Sequence, residues 1–309
     1  MTVSAAKPRT NLLMDGPNPR GSHPEPIMKT LCAPLPDLGC FGCCPPIRPA
    51  HYDPIDYVSS LRKEFAENRR RIATLPPGHQ PIVGYHCWAL GFLDSQGRRA
   101  GCLLHPCQNG GKDLRHLIDY GDKCRREQCF PARVFACLPA AGQDFWLPLV
   151  RGLNTFLYSS RRANPLFHLL LWGVDVLESL RSQAQANHWS ATELLHQHSF
   201  LLDRAGHPKA HRYLLRLILE ADESPESSGY DREEALRKIQ GRTLNLPAIA
   251  EARTVSQPQS YAHQLELEAD FLDYCRLGLG LYKLANSQAL QIREEIRRLV
   301  ESLAKNGSE

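Results

Sequence analysis

The sequence predicts an α+β protein: a small cysteine-rich metal-binding domain with a β-hairpin, followed by an all-helical bundle domain. Three observations predict it. Ten of the eleven cysteines fall between Cys32 and Cys137, and Cys275 alone lies beyond. Strand-like residues from Ile82 to Leu93 and from Ala100 to Leu104 flank a turn sequence, Asp94-Ser95-Gln96-Gly97, which is a hairpin signature. After Pro139 the apolar residues recur at helical spacing. The expected divisions are a disordered tail over 1–30, a cysteine-cluster domain over 31–139 and a helical domain over 140–309.

Composition bounds the rest. Apolar residues make up 42% of the chain and charged residues 23%, as in soluble globular proteins with a real core. A net charge of +4 is too modest to argue for nucleic acid or anionic lipid. Met1 to Met28 contain no apolar run, so no secretory leader is expected. The apolar stretch Leu166 to Leu180 is too short for a membrane span and carries His168, Asp175 and Glu178. These features place the protein in the reducing cytoplasm, with no membrane partner and with disulfides disfavoured. An odd number of cysteines and the adjacent pair Cys43-Cys44 also fit a disulfide framework poorly.

The elements follow in order. Residues 1–30 are proline-rich and lack periodicity, and Met28, just before the first structured stretch, is an alternative start. Pro34, Pro36, Pro45, Pro46 and Pro49 surround the knot Cys40-Phe41-Gly42-Cys43-Cys44, and stiff loops lose less entropy when ligands converge. A helix is expected from Asp53-Pro54 to about Thr74, with Asp53 as N-cap. Its Arg69-Arg70-Arg71 reads as a solvated end that suits the helix dipole. In the hairpin, pairing Asp94 with Gly97 sets Cys102 opposite Ala89, on the same face as Cys87. A short helix is expected over 112–119 and another from Arg133 to Leu138, with Pro131 at a boundary. Helices are then expected over 144–159, 165–186, 191–205, 209–222, 231–239, 261–284 and 289–303, with 243–257 irregular. The segment from Leu166 to Leu180 reads as a central buried helix. Cys275 falls on a helical stripe with Leu272, Leu279 and Tyr282 and reads as core.

Thiolates at such short spacing close around zinc, iron or an iron–sulfur cluster. Eight candidates, Cys40, Cys43, Cys44, Cys87, Cys102, Cys107, Cys124 and Cys129, suffice for two four-coordinate centres or one larger cluster. Adjacent cysteines share one tetrahedral ion poorly, so Cys43 and Cys44 serve different centres or one of them stands behind the ligands. Cys32 and Cys137 read as spares. His86 and His105 lie nearby, but the thiols already suffice. Arg125 and Arg126 are placed to offset the charge of a multi-thiolate centre.

The segment from Cys40 to Cys129 resembles the YkgJ-like family, described as zinc- or iron-chelating and named for a CxxCxxCC pattern. The resemblance is carried by Cys40-Phe41-Gly42-Cys43-Cys44, by Cys87 and Cys102 around a hairpin containing Gly97, and by Cys124-Arg125 with Cys129. It covers about 90 of the 309 residues. Asp37 stands where the family name implies a further cysteine. Gly121-Asp122-Lys123 stands in place of an Arg-Pro step, and Cys107 is an addition. The resemblance implies metal chelation and no particular reaction.

The function expected is therefore a zinc- or iron-binding cysteine-cluster protein, its helical part offering a surface for a protein partner. The alternative is an iron–sulfur or zinc-dependent enzyme. The chain has no Walker motif, dinucleotide fingerprint, zincin motif or C-x3-C-x2-C spacing. A nucleic-acid binder using Arg69 to Arg71 and Arg161-Arg162 is disfavoured by the charge balance.

Overall fold

The computed structural model describes residues 29–44, 55–74, 78, 87–118, 124, 128–203, 207–221, 231–254 and 260–306. Residues 1–28 of the tail expected over 1–30, Asp53-Pro54, the strand start at Ile82, His86 and Arg125-Arg126 lie outside these residues, while Thr30 forms a bridge with Ala33. The described residues are mostly helical with small antiparallel strand pairs, and so α+β in the broad sense. Contacts divide the chain into two units, Met1–Ala132 with Gly152–Asn164, and Arg133–Arg151 with Pro165–Glu309.

In the first unit the leading helix is Tyr57–Ile72. Its cap is Asp56, whose carboxylate accepts the Ser59 N–H and satisfies a donor that the helix leaves free. Ser60, Leu61, Phe65 and Asn68 form the buried face, at the spacing of one helical side. That face packs on the hairpin strand Leu90–Phe92. Arg69 does not face solvent only: its guanidinium donates to Phe92 O at 2.9 Å.

The hairpin pairs Leu90–Phe92 with Ala100–Cys102, Leu90 opposite Cys102. The expected register, with Cys102 opposite Ala89, is thus off by one residue. The turn causes the slip. The Asp94 carboxylate accepts the backbone N–H groups of Gln96, Arg98 and Arg99, and Gly97 takes φ 67°, which only glycine adopts freely. The loop is therefore wider than a tight Asp94–Gly97 turn. The helix expected over 112–119 is reduced to a 3-10 turn, Arg115–Leu117.

The rest of the first unit arrives late in the chain. The helix expected over 144–159 is three pieces. Ala140–Trp146 gives way to a 3-10 turn at Leu147–Val150, where Pro148 lacks an N–H. A short helix, Thr155–Ser159, then starts under an Asn154 cap and belongs to the first unit.

In the second unit, the apolar stretch from Leu166 to Leu180 is buried but is not one helix. Pro165–Leu169 tightens into Leu170–Trp172, the chain turns at Gly173 and Val174–Ala186 follows. The central helix is instead Pro208–Ala221, which touches Val174–Ala186, Arg232–Thr243, Ala269–Asp273 and Asn286–Asn306. Ala191–Gln197 begins with a capping box of Ser190 and Glu193. The stretch expected to be irregular contains the helix Pro247–Thr254. The long helix expected over 261–284 does not form. Tyr261 pairs as a strand residue with Lys283, Ala269–Asp273 is a short helix, and Tyr274–Gly278 is a π turn. The unit is therefore not all-helical. Leu272, Cys275 and Leu279 are buried as expected, but Tyr282 lies past the helical turns and is exposed. No helix of the described residues is long and apolar enough to cross a membrane.

Candidate functional site

A cavity of about 320 Å³ lies within the first unit and is lined by nine cysteines among its wall residues. Cys40, Cys43 and Cys44 reach it from the knot, and Cys87 and Cys102 from the hairpin. Cys107, Cys124 and Cys129 line it from the following segments. All eight residues singled out in the sequence thus face one space. Cys32, read as a spare, faces it too. Cys137 is exposed and Cys275 is buried, both in the second unit. None of the eleven cysteines is in a disulfide.

The knot is held from several sides. Cys40 N–H donates to Cys32 O at 2.9 Å, and Cys44 N–H to Phe41 O at 3.0 Å. The Phe41 ring packs edge-on against Phe65 at 5.2 Å and Phe156 at 5.8 Å, a geometry that aromatic quadrupoles favour. Gly42 leaves no room for a side chain, because a Cβ there would lie 2.5 Å from Ser159 O. Three side chains of Thr155–Ser159 grip the same stretch. Thr155 Oγ1 donates to Gly39 O at 2.7 Å and accepts the Ala100 N–H at 3.1 Å. Tyr158 donates to Leu31 O at 2.7 Å, and Ser159 Oγ accepts the Phe41 N–H at 3.0 Å. One helical turn thereby ties the knot to the hairpin. Composition and spacing carry no signal for this, since the partners lie more than a hundred residues apart.

Cys87 precedes the strand, in a turn closed by Leu90 N–H to Cys87 O. The buried Asn68 amide donates to Leu90 O at 2.9 Å and to Cys87 O at 3.4 Å, and so fixes the turn from the helix side. Cys87 and Cys102 share the cavity through this turn rather than through strand alternation. Cys107 sits in a 3-10 turn, Pro106–Gln108, whose first N–H groups include one bound by His105 Nδ1. That bond occupies one imidazole nitrogen of the only histidine lining the cavity among the described residues.

Burial sets the charge state. It pushes the Cys32 and Cys102 thiols up to about 12 and also raises Cys40, Cys87 and Cys129. Cys43 and Cys44 titrate as a pair: a hydrogen bond between them lowers Cys43 and raises Cys44. Two arginines oppose negative charge here. Arg115 is fixed by Asp113, with Nη2 2.8 Å from Oδ2, and its Nη1 donates to Cys124 O at 2.8 Å. It acts on Cys32, Cys43 and Cys102, and Arg161 acts on Cys43 and Cys129. Arg115 was not among the expected residues. Arg161 belongs to the basic pair Arg161-Arg162, whose sequence alone does not point to the cavity.

The donor set suits a thiophilic metal, with nine sulfurs, one imidazole and no carboxylate among the lining side chains. Among the described residues, no three His, Cys, Asp or Glu side chains are gathered tightly enough to hold an ion. The thiols line the wall and would have to draw inward to coordinate. Comparison with protein-family models, curated proteins and solved structures finds nothing that matches this chain.

Proposed function

We propose that the first unit is a metal-binding cysteine-cluster domain, of the YkgJ-like kind that the sequence resembles, in a cytoplasmic protein. Zinc or iron, the iron as single ions or as an iron–sulfur cluster, is the load. The observation that supports this is the convergence of nine thiols from three distant stretches of chain on one cavity. Apolar packing alone gives no reason for so many sulfurs to share a wall. Cys40, Cys43, Cys44, Cys87, Cys102, Cys107, Cys124 and Cys129 would hold the metal, with Cys32 added. When bound, the metal supplies a fixed centre that cross-links these stretches. Arg115 and Arg161 offset the charge of the thiolates, and Asp113 orients Arg115. The protons held by the raised thiols leave on binding, so affinity increases with pH. The second unit serves as the partner-binding part, with Tyr261 and Tyr282 exposed on its surface.

Anaerobic purification followed by metal analysis and a visible spectrum tests the reading. Stoichiometric zinc in a colourless protein, or iron with charge-transfer absorption, is the expected result. Protein that purifies without metal and takes up neither zinc nor iron refutes it.

A further inference from the structure

The nine thiols that line the cavity differ in how far solvent reaches them. Among the nine, Cys43 and Cys107 alone are exposed, Cys87 is buried, and the other six are intermediate. Each exposed thiol stands on a tight turn. Cys43 is the third residue of the turn from Phe41 to Cys44, closed by Cys44 N–H to Phe41 O at 3.0 Å. Cys107 is the middle residue of the 3-10 turn Pro106–Gln108.

We propose that Cys43 and Cys107 are the hand-over pair of the cavity, through which metal passes between solvent and the thiols behind. Cys107 holds metal only in passage, and the knot takes it inward from Cys43. This role rests on the metal reading above and adds to it a route and an order of ligands.

The placement of Cys107 is specified by the chain around it. Its backbone N–H donates to His105 Nδ1 at 3.2 Å. The Asn109 amide donates to Leu103 O at 3.0 Å and to His105 O at 2.9 Å. Gln108 N–H closes onto His105 O and Gly111 N–H onto Pro106 O, each at 2.9 Å. Directed bonds fix where a group is presented, and these hold the turn close behind the hairpin strand Ala100–Cys102. Past the turn, Gly110 and Gly111 take φ 59° and 85°, and a Cβ on either would meet nothing within 4 Å. That side opens to solvent, while Cys107 and Gln108 line the cavity. Cys43 joins the rim to the interior, because Cys40 and Cys44, on either side of it in the knot, also line the cavity.

The chemistry of exchange calls for such a pair. Zinc accepts a fifth ligand in passing, so a new ligand can join before an old one leaves. The thiols that solvent reaches most freely are the first to meet an arriving ion. On entry the Cys107 thiol gives its proton to water and forms a metal–sulfur bond, and the ion sheds a bound water. On passage inward a deeper thiol releases its proton and binds the ion. The bond to Cys107 then breaks, and its sulfur takes up a proton again. The oxidation state of the metal does not change.

The test is exchange of bound metal against an enriched isotope of the same element, in the anaerobically purified, metal-loaded, full-length protein. The isotope retained after desalting is read by mass spectrometry. Cys107→Ser is expected to keep the wild-type metal content and to exchange severalfold more slowly. Cys43→Ser is expected to slow the exchange of whatever metal it retains. Cys137→Ser, at an exposed cysteine of the second unit, should exchange at the wild-type rate. A thiol that holds metal at rest gives the opposite sign, since its loss weakens binding and so lowers content or speeds exchange. Lower content in Cys107→Ser, or unchanged or faster exchange in either Cys107→Ser or Cys43→Ser, overturns the hand-over role alone. So does a wild type whose bound metal never exchanges, or an equal slowing in Cys137→Ser. A wild-type chain that neither carries nor binds zinc or iron overturns both this role and the reading on which it rests.

Discussion

The second unit is held by volume and the first by aim. In the second, Trp146, Tyr213, Phe271, Tyr274, Leu166 and Leu169 are all but sealed from solvent. Ion pairs such as Arg212–Asp273 at 2.8 Å and Arg216–Asp270 at 2.7 Å lie at the margins of that core. Each large apolar side chain buried there contributes about 1.5–3 kcal/mol. In the first unit the apolar core is smaller, centred on Leu61, Phe65, Leu90 and Phe92. Directed bonds from Asn68, Thr155, Tyr158 and Ser159 hold the loops around the cavity. Apolar contacts are non-directional and tolerate sliding, whereas a hydrogen bond fixes a position. A region that must point sulfur at one space therefore uses bonds, and a region that must only persist uses bulk.

The sharpest way to break this contrast is to take the metal away. Structural zinc contributes on the order of 10–16 kcal/mol in small domains, so on the metal reading its loss removes a large share of what holds the first unit. A strong chelator is expected to open residues 29–132 to protease while residues 165–306 stay resistant, as read from the fragments by mass spectrometry. Equal resistance of both regions after complete metal removal would show that bulk holds the first unit too. Next in size is Leu214→Ala, at a side chain with no exposure. It should cost about 2–5 kcal/mol in denaturant unfolding and leave metal content unchanged. Loss of metal would tie the two units energetically.

Thr155→Val sharpens the contrast from the other side. The buried hydroxyl makes two bonds, so its loss leaves Gly39 O and Ala100 N unpaired at a cost of about 1–3 kcal/mol. Metal should dissociate faster from this variant, measured by competition with a chromogenic chelator. Cys275→Ser, in the core of the second unit, should lower stability without changing that rate. The smallest effect concerns Asp113. Its bond to Arg115 holds the carboxyl at about 2, below the usual carboxylate range. A lowered value stabilises the fold above the unfolded value near pH 4, and the gain is lost as pH falls through about 2. The pair is partly exposed, so Asp113→Asn should cost about 1 kcal/mol or less near neutrality. The wild type and variant should converge in stability at the acid end of a pH series.

Much of this was legible in the sequence because the relevant rules are local. The helix Arg232–Thr243 starts within a residue of the expected Asp231 but runs past the expected end at Ile239, and the helix Pro208–Ala221 starts and ends within a residue of its pattern. The cysteines announced themselves by number and crowding. Other features depended on tertiary bonds. The one-residue slip of the hairpin follows from three N–H groups on one Asp94 carboxylate, which alternation of apolar residues does not report. Periodicity in 261–284 was real for Leu272, Cys275 and Leu279, yet Tyr261 and Lys283 pair as strands, since a short apolar repeat does not by itself fix helix length. Arg115 has no motif, because its role comes from where the chain folds it.

The grip of Thr155–Ser159 on the knot bears on how the protein is made. Gly39 and its partner Thr155 are separated by 116 residues. During synthesis the knot and hairpin leave the ribosome well before the turn that secures them. At about 5–20 residues per second, the delay is several seconds to tens of seconds. Through that interval the thiols are a loose set of donors, open to whichever metal is most available. On the metal reading proposed above, the chain would close on its load only after the last anchor has been translated, so metal supply at the ribosome would bear on what it carries beside the affinity of the finished site.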